Sequence, residues 1–277
     1  MTPRSHTLGV PMALACIGRT RILQNEPAAV VLDGVSRTFG DLEALTDVSL
    51  RVETGSILGV IGPSGAGKTT AMRLMTGSLA PSAGTVQVLG EDPRHLRRRT
   101  REKIGYLPQQ FTLYPYLTAR ENVGFVASIY GLLWFRHGRR VKEALKLVEL
   151  WDVRNRLAAR MSGGMQRRLE LAAALVHDPA LLLLDEPTAG LDPIGAAAFD
   201  HLIMALQRRL ELTVFLITHD LDTLWAICDR VAVLADEKVV AVGTIEELLA
   251  LDHPWIQEYF NGPRGRAASA ALEGHKG

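Results

Sequence analysis

The sequence predicts an α/β fold: a mostly parallel sheet with helices on both faces. Three observations predict it. Short apolar runs alternate with stretches of helical periodicity along most of the chain. One run, Leu181 to Leu184, is continuously apolar, as a strand buried on both faces requires. A glycine-rich turn from Gly62 to Gly67 joins an apolar run to a helical stretch.

The elements follow in order. Val30 to Leu32 reads as a short strand and Ser56 to Ile61 as a longer one. A helix is expected from about Lys68 to Met75, ended by Gly77. Pro81 and Gly84 mark a turn before a strand at Thr85 to Leu89. A basic, polar stretch from Asp92 to Lys103 precedes the strand Ile104 to Leu107. Of two helical patterns that come next, the second puts Val141, Ala144, Leu145 and Val148 on one face. Arg167 to His177 is helical again and leads into Leu181 to Leu184. Helix, strand (Leu212 to Ile217), helix and two strands (Arg230 to Leu234, Lys238 to Val242) complete the pattern. No internal repeat is visible. Thr7 to Gly18 is apolar but broken by Pro11, so it reads as a disordered extension before a start near Met12, rather than a signal peptide. The final residues, rich in Ala, Gly and charge, are expected to be disordered.

Composition removes several function classes. With 277 residues the chain holds one large domain or two small ones. Hydrophobic residues at 47% and charged residues at 22% exclude a disordered or collagen-like chain. A net charge of +1 provides no global field toward nucleic acid or anionic lipid. Cys16 and Cys228 are too few and too distant for a disulfide framework or zinc knuckle, and read as reduced thiols. No uncharged run reaches the roughly 18 residues of a membrane span.

Gly62, Pro63, Ser64, Gly65, Ala66, Gly67, Lys68 and Thr69 fit G-x-x-x-x-G-K-[ST] between a strand and a helix. Glycines let backbone N–H groups close around phosphate oxygens, and a helix N-terminus adds its positive dipole end. Lys68 would reach the β- and γ-phosphates, and the Thr69 hydroxyl would ligate magnesium. Thr70 belongs to the same nucleotide-binding set. Asp185 ends the leucine run and suits a magnesium site, while Glu186 suits the base that deprotonates an attacking water. An Asn-Lys-x-Asp motif for guanine is absent. Gln109 after a strand, Ser162-Gly163-Gly164 opening a helix, and His219 just past Ile217 are each weak signals alone. In this order they are specific.

Over about Ala29 to Ala250 these motifs resemble the nucleotide-binding subunit of an ABC transporter. The resemblance implies a P-loop NTPase (RecA-like) core with an inserted helical subdomain at about 110–160 and a β-rich N-terminal part. Residues 1–28 would then be an extension and 251–277 a tail. It implies ATP and Mg2+ as cofactors. Gln109 would sense the γ-phosphate and magnesium, Met161 to Met165 would be the signature loop, and Gly190-Leu191-Asp192 would cross a dimer interface. His219 would contact the γ-phosphate. Phe39 holds the place of the aromatic that stacks on adenine, or is core. The signature departs from Leu-Ser-Gly-Gly-Gln at Met161 and Met165, while Ser162, Gly163 and Gly164 keep the anion-binding groups. The family's site is completed by a second subunit, so dimerisation around two ATP molecules is implied.

The partners implied are transmembrane permease subunits and a second copy or a related ATPase subunit, with no nucleic acid. The location implied is the cytoplasmic face of the inner (cell) membrane, as a peripheral protein. Gly124 to Phe135 reads equally as a docking groove for a membrane subunit or as helical core. Arg94 to Lys103 reads as a solvated surface helix rather than a lipid or nucleic-acid contact. Residues from about Ile104 to Ala189 resemble drug-resistance-type ABC exporters, and those from Asp192 resemble the ATPase of Mce-type lipid transport systems, so the chain looks mosaic. Export of drug-resistance type is expected first, lipid transport second. A soluble ABC ATPase of DNA repair or translation is a third reading, disfavoured by the short insert, two cysteines and single phosphate loop. In the tail, Trp255, Ile256, Tyr259 and Phe260 fall on one helical face behind Pro254, which either folds back on its own subunit or latches onto a partner.

Overall fold

The computed structural model describes residues 28–132 and 134–262. The expectations for the N-terminal extension, Met12, Cys16 and the residues beyond 262 lie outside the described residues.

Two sheets form the framework. β1 (Val30–Phe39) pairs antiparallel with β2 (Leu42–Val52) and with β4 (Ala83–Val88), in the order β2-β1-β4. The larger sheet has six strands in the order β5-β6-β7-β3-β8-β9: β5 (Ile104–Leu107), β6 (Leu181–Asp185), β7 (Thr213–Ile217), β3 (Ile57–Ile61), β8 (Arg230–Ala235) and β9 (Lys238–Gly243). All neighbours in it run parallel except the β8–β9 edge pair. β3, β6 and β7 are buried throughout, which accounts for the apolar runs that fill them apart from Asp185 and Thr213 at their ends. The register sets Leu107 beside Leu184, Asp185 beside Ile217 and Val60 beside Ile217. The carboxyl ends of four neighbouring strands therefore share one edge.

α1 (Lys68–Met75) follows β3 and buries Ala71, Met72, Leu74 and Met75. The basic stretch before β5 is shorter in structure than a surface helix: a 3-10 turn, Pro93–His95, and the single-turn α2 (Arg98–Arg101). Its guanidinium groups pair locally, Arg94 with Asp92, Arg97 with Glu91 and Arg98 with Glu102.

α3 (Ala119–Ile129) starts at a capping box of Thr118 and Glu121. It packs on α4 (Trp134–Leu147) and α5 (Gly163–Leu175). The predicted stripe Val141, Ala144, Leu145 and Val148 is buried against this group. Asp192 caps α6 (Pro193–Leu210), whose first residue is the proline expected where a helix can spare an N–H.

α7 (Leu221–Ile227), α8 (Ile245–Leu249) and α9 (Pro254–Asn261) close the described chain. Ile256 and Phe260 of α9 are buried with Leu221, Leu224, Ile245 and Leu248. The apolar face of the tail is covered by its own subunit.

Candidate functional site

The site is built on the shared strand edge. The turn after β3 is held close to neighbouring backbone. A Cβ at Gly62 would stand 2.0 Å from the Leu234 carbonyl oxygen, and one at Gly67 2.3 Å from that of Ala44. Gly67 also has φ 92° as it caps α1, a conformation that L side chains rarely adopt. Ser64, Gly65 and Thr69 are exposed, and Pro63, Lys68 and Thr70 are half-buried. The first turn of α1 has no acidic residue, so its dipole faces the loop without an internal counter-charge.

Lys68 Nζ donates to the carbonyl oxygens of Gly62, at 2.6 Å, and Pro63, at 2.8 Å. Its ammonium thus lies over the loop that precedes it. Burial lowers its pKa, and the charges of Glu186 and Asp185 oppose that shift. This coupling places both carboxyls in the field of the lysine.

β6 ends at Asp185, and Glu186 turns out of the strand with φ 49° while its N–H donates to the Ile217 carbonyl at 2.9 Å. Glu186 Oε2 accepts from the backbone N–H of His219 at 3.3 Å and lies 2.7 Å from His219 Nδ1. Burial pushes the Glu186 carboxyl up, and His219 pulls it back. Burial likewise pushes Asp185 up, against Arg167, Arg73 and Lys68. The structure therefore gathers Lys68, Asp185, Glu186 and His219 into one electrostatic group.

The other predicted residues surround this group at varied remove. Gln109 is exposed, two residues past the end of β5, whose Leu107 pairs with Leu184 of β6. Phe39 is 42% exposed at the end of β1, with the Arg37 guanidinium 4.5 Å from its ring centroid, so it is a surface aromatic and not core. Ser162 caps α5, accepting from the Met165 N–H at 3.4 Å. A Cβ on Gly163 would lie 3.8 Å from Leu191, which sets the Ser162-Gly163-Gly164 turn against the Gly190 to Asp192 loop. Asp192 itself accepts from the Gly195 N–H at 3.0 Å. The Ser162 turn is not gathered onto the phosphate loop. Its helix packs on α3, α4, α6 and β5, whereas α1 packs on β2, β4 and β6.

Sequence reasoning missed Arg167. Its side chain is 1% exposed and sits at the junction of three segments. It donates to the carbonyl oxygens of Pro187 at 2.8 Å, Pro108 at 2.7 Å, Asp185 at 3.2 Å and Glu186 at 3.0 Å. It also pairs with Glu170 at 3.0 Å, whose other oxygen accepts from the Thr112 N–H at 2.6 Å. One fork thus ties the strand exit at Glu186 to the segment that carries Gln109. A basic residue in a polar helix turn gives no sequence signal of this.

No group of three or more His, Cys, Asp or Glu suited to a metal occurs among the described residues. The hard oxygen donors at the site are the Thr69 hydroxyl and the Asp185 carboxylate. That donor set fits Mg2+, which takes few protein ligands and completes its sphere with water and phosphate oxygens.

Residues 45–189 match the family described as ABC transporter. The chain is 40% identical over 253 residues to the methionine import ATP-binding protein MetN 2 of Burkholderia mallei, covering 88% of this chain and 61% of that protein. It thus spans about three fifths of that relative's length. The structure is similar to that of cbiO1 from Clostridium perfringens, part of the cbiONQ ABC transporter complex, with TM-score 0.76, 27% identity, and coverage of 89% of this chain and 100% of that one. It is also similar to the dimeric structure of a bacterial ABC transporter cassette, with TM-score 0.68, 29% identity, and coverage of 78% and 98%.

Proposed function

Since the chain belongs to the ABC transporter ATP-binding family, we propose that it binds and hydrolyses ATP to drive a membrane permease. The observation that carries this reading is the meeting of Lys68 and Glu186–His219 at the edge where the phosphate loop opens. In this reading, Lys68 and the N–H groups from Gly65 to Thr70 hold the phosphates. Phe39 offers its exposed ring to adenine. Glu186 takes a proton from water as the water oxygen bonds to the γ-phosphorus and the bond to the ADP oxygen breaks. A carboxyl raised by burial suits this better than a fully solvated one. His219 orients Glu186 through its Nδ1, and Gln109 lines the same edge. Mg2+ would be held through Thr69 and Asp185, with Gln109 adjoining, and would neutralise phosphate charge.

The site is half of a composite one. Ser162, Gly163, Gly164 and Asp192 form a separate anion-binding rim, and the dimeric cassette supports its use by a second copy or a related subunit. No helix among the described residues is long and apolar enough to cross a membrane. In this reading the permease is contributed by partner subunits, and this subunit sits peripherally on the cytoplasmic side. Exposed Phe111, Tyr114, Tyr116 and Phe125 beside α3 support docking there.

Transport direction has two readings. Drug-resistance-type export rests on the resemblance of Ile104 to Ala189, with Mce-type lipid transport resting on the residues from Asp192. Import is favoured by the printed function of the methionine relative.

Glu186→Gln tests the chemistry. It removes the base and leaves the phosphate loop intact. Hydrolysis should fall by roughly 10²–10⁴-fold, and ATP should accumulate in a stable dimer resolved by size-exclusion chromatography. Near-normal turnover would remove Glu186 from the catalytic role.

A further inference from the structure

The apolar face of α9 is largely consumed by packing, but one polar atom on it reaches the site. Tyr259 Oη donates to the carbonyl oxygen of His219 at 2.9 Å. The same residue, His219, contacts Glu186 through both its backbone N–H and its Nδ1. The Tyr259 ring is held on two sides, stacked on Trp255 at 4.7 Å and edge-on to Phe260 at 5.4 Å. Ile256 and Phe260 anchor the helix beneath it. The hydroxyl is thus delivered from a fixed ring rather than a free side chain.

We infer that α9 acts in cis as a positioning element for hydrolysis, with Tyr259 fixing the His219 peptide so that His219 holds Glu186. This rests on the reading of Glu186 as the base. The His219 segment needs such support. Its side chain is 69% exposed, and the local restraints on its turn are the Asp220 N–H to Thr218 hydroxyl bond and the Asp220 cap of α7. The Tyr259 bond adds a second restraint to the peptide that joins His219 to Asp220, whose N–H is already held by the Thr218 hydroxyl. Burial and the nearby Glu186 and Asp220 charges push the Tyr259 phenol up, so it keeps its proton as a donor. The titratable groups around Glu186 are His219, Asp185 and Lys68, and Tyr259 adds a neutral dipole to them.

Tyr259→Phe in the full chain is the test, because it deletes the hydroxyl and keeps the ring. Steady-state kcat for ATP should fall about 5-fold, the scale of one hydrogen bond, with KM within about 2-fold and the melting temperature unchanged. Tyr259→Trp, which keeps a ring N–H but misplaces it, should not restore kcat. Unchanged kcat in Tyr259→Phe overturns the inference. So does a fall in kcat matched by equal losses of ATP binding and thermal stability, which marks a packing role. Glu186→Gln run alongside separates the two readings: if it hydrolyses normally the base assignment fails, and if it is inactive while Tyr259→Phe is normal only the positioning role fails.

Discussion

Asp200 carries the strongest carboxyl shift away from the site. It is 4% exposed, accepts from the Thr223 hydroxyl at 2.8 Å, and its Oδ1 is buried without a partner. Burial raises its pKa to about 7, with the Asp220 and Asp222 charges adding to the effect and the Thr223 bond opposing it. The unfolded chain binds fewer protons there than the folded one between about pH 4 and 7. Stability from this group is therefore full below about pH 4 and lost as pH rises through about 7. Asp200→Asn should flatten that loss and gain a few kcal/mol at pH 8 relative to the parent, read by urea unfolding at pH 5 and pH 8. At this scale legibility was uneven. Lys68 could be placed from sequence because the strand–turn–helix unit after β3 fixes it, and Asp185 and Glu186 because they follow the four leucines of β6. Arg167 and Tyr259 could not, because their partners are backbone carbonyls brought from distant segments, and a carbonyl has no residue identity to read.

The elements filled by apolar runs, β3, β6 and β7, were legible to within a residue at each end. β2 was not singled out. Its alternation at Val48, Leu50 and Val52 is present, but Asp47, with φ 50°, and the register shifts between Val35 and Thr38 interrupt the period. The stretch from Asp92 to Lys103 is largely exposed, as expected of a solvated surface segment, but only Arg98–Arg101 of it is α-helical, and three of its guanidinium groups pair with Glu91, Asp92 and Glu102. For α9 the sequence left two readings open, and the burial of Ile256 and Phe260 resolves them in favour of its own subunit. Truncation after Leu251 should therefore cost the folded monomer about 3–6 kcal/mol, the burial of one Ile and one Phe. Differential scanning calorimetry of the monomer checks this. A truncated chain that melts with the parent would contradict the packing seen here.

At the scale of the molecule, the phosphate loop and the Ser162 turn lie on different supports within one chain, and in the proposed composite site each is one half. A Ser162→Arg chain and a Lys68→Ala chain should each lack ATPase activity alone. When the two are allowed to exchange subunits, a fraction of the mixed dimers contains one intact composite site and should recover part of it. Absence of recovery in mixed dimers demonstrated by native mass spectrometry would count against a site completed in trans, unless both sites must fire together. The framework bears a local cost for its chemistry. Glu186 sits at φ 49°, where a side chain with a Cβ is strained by about 1–2 kcal/mol and glycine is not. With Glu186 read as the base, repeated laboratory selection for heat tolerance alone would reward Glu186→Gly at the expense of turnover. Only a selection that couples survival to transport would keep the glutamate in place.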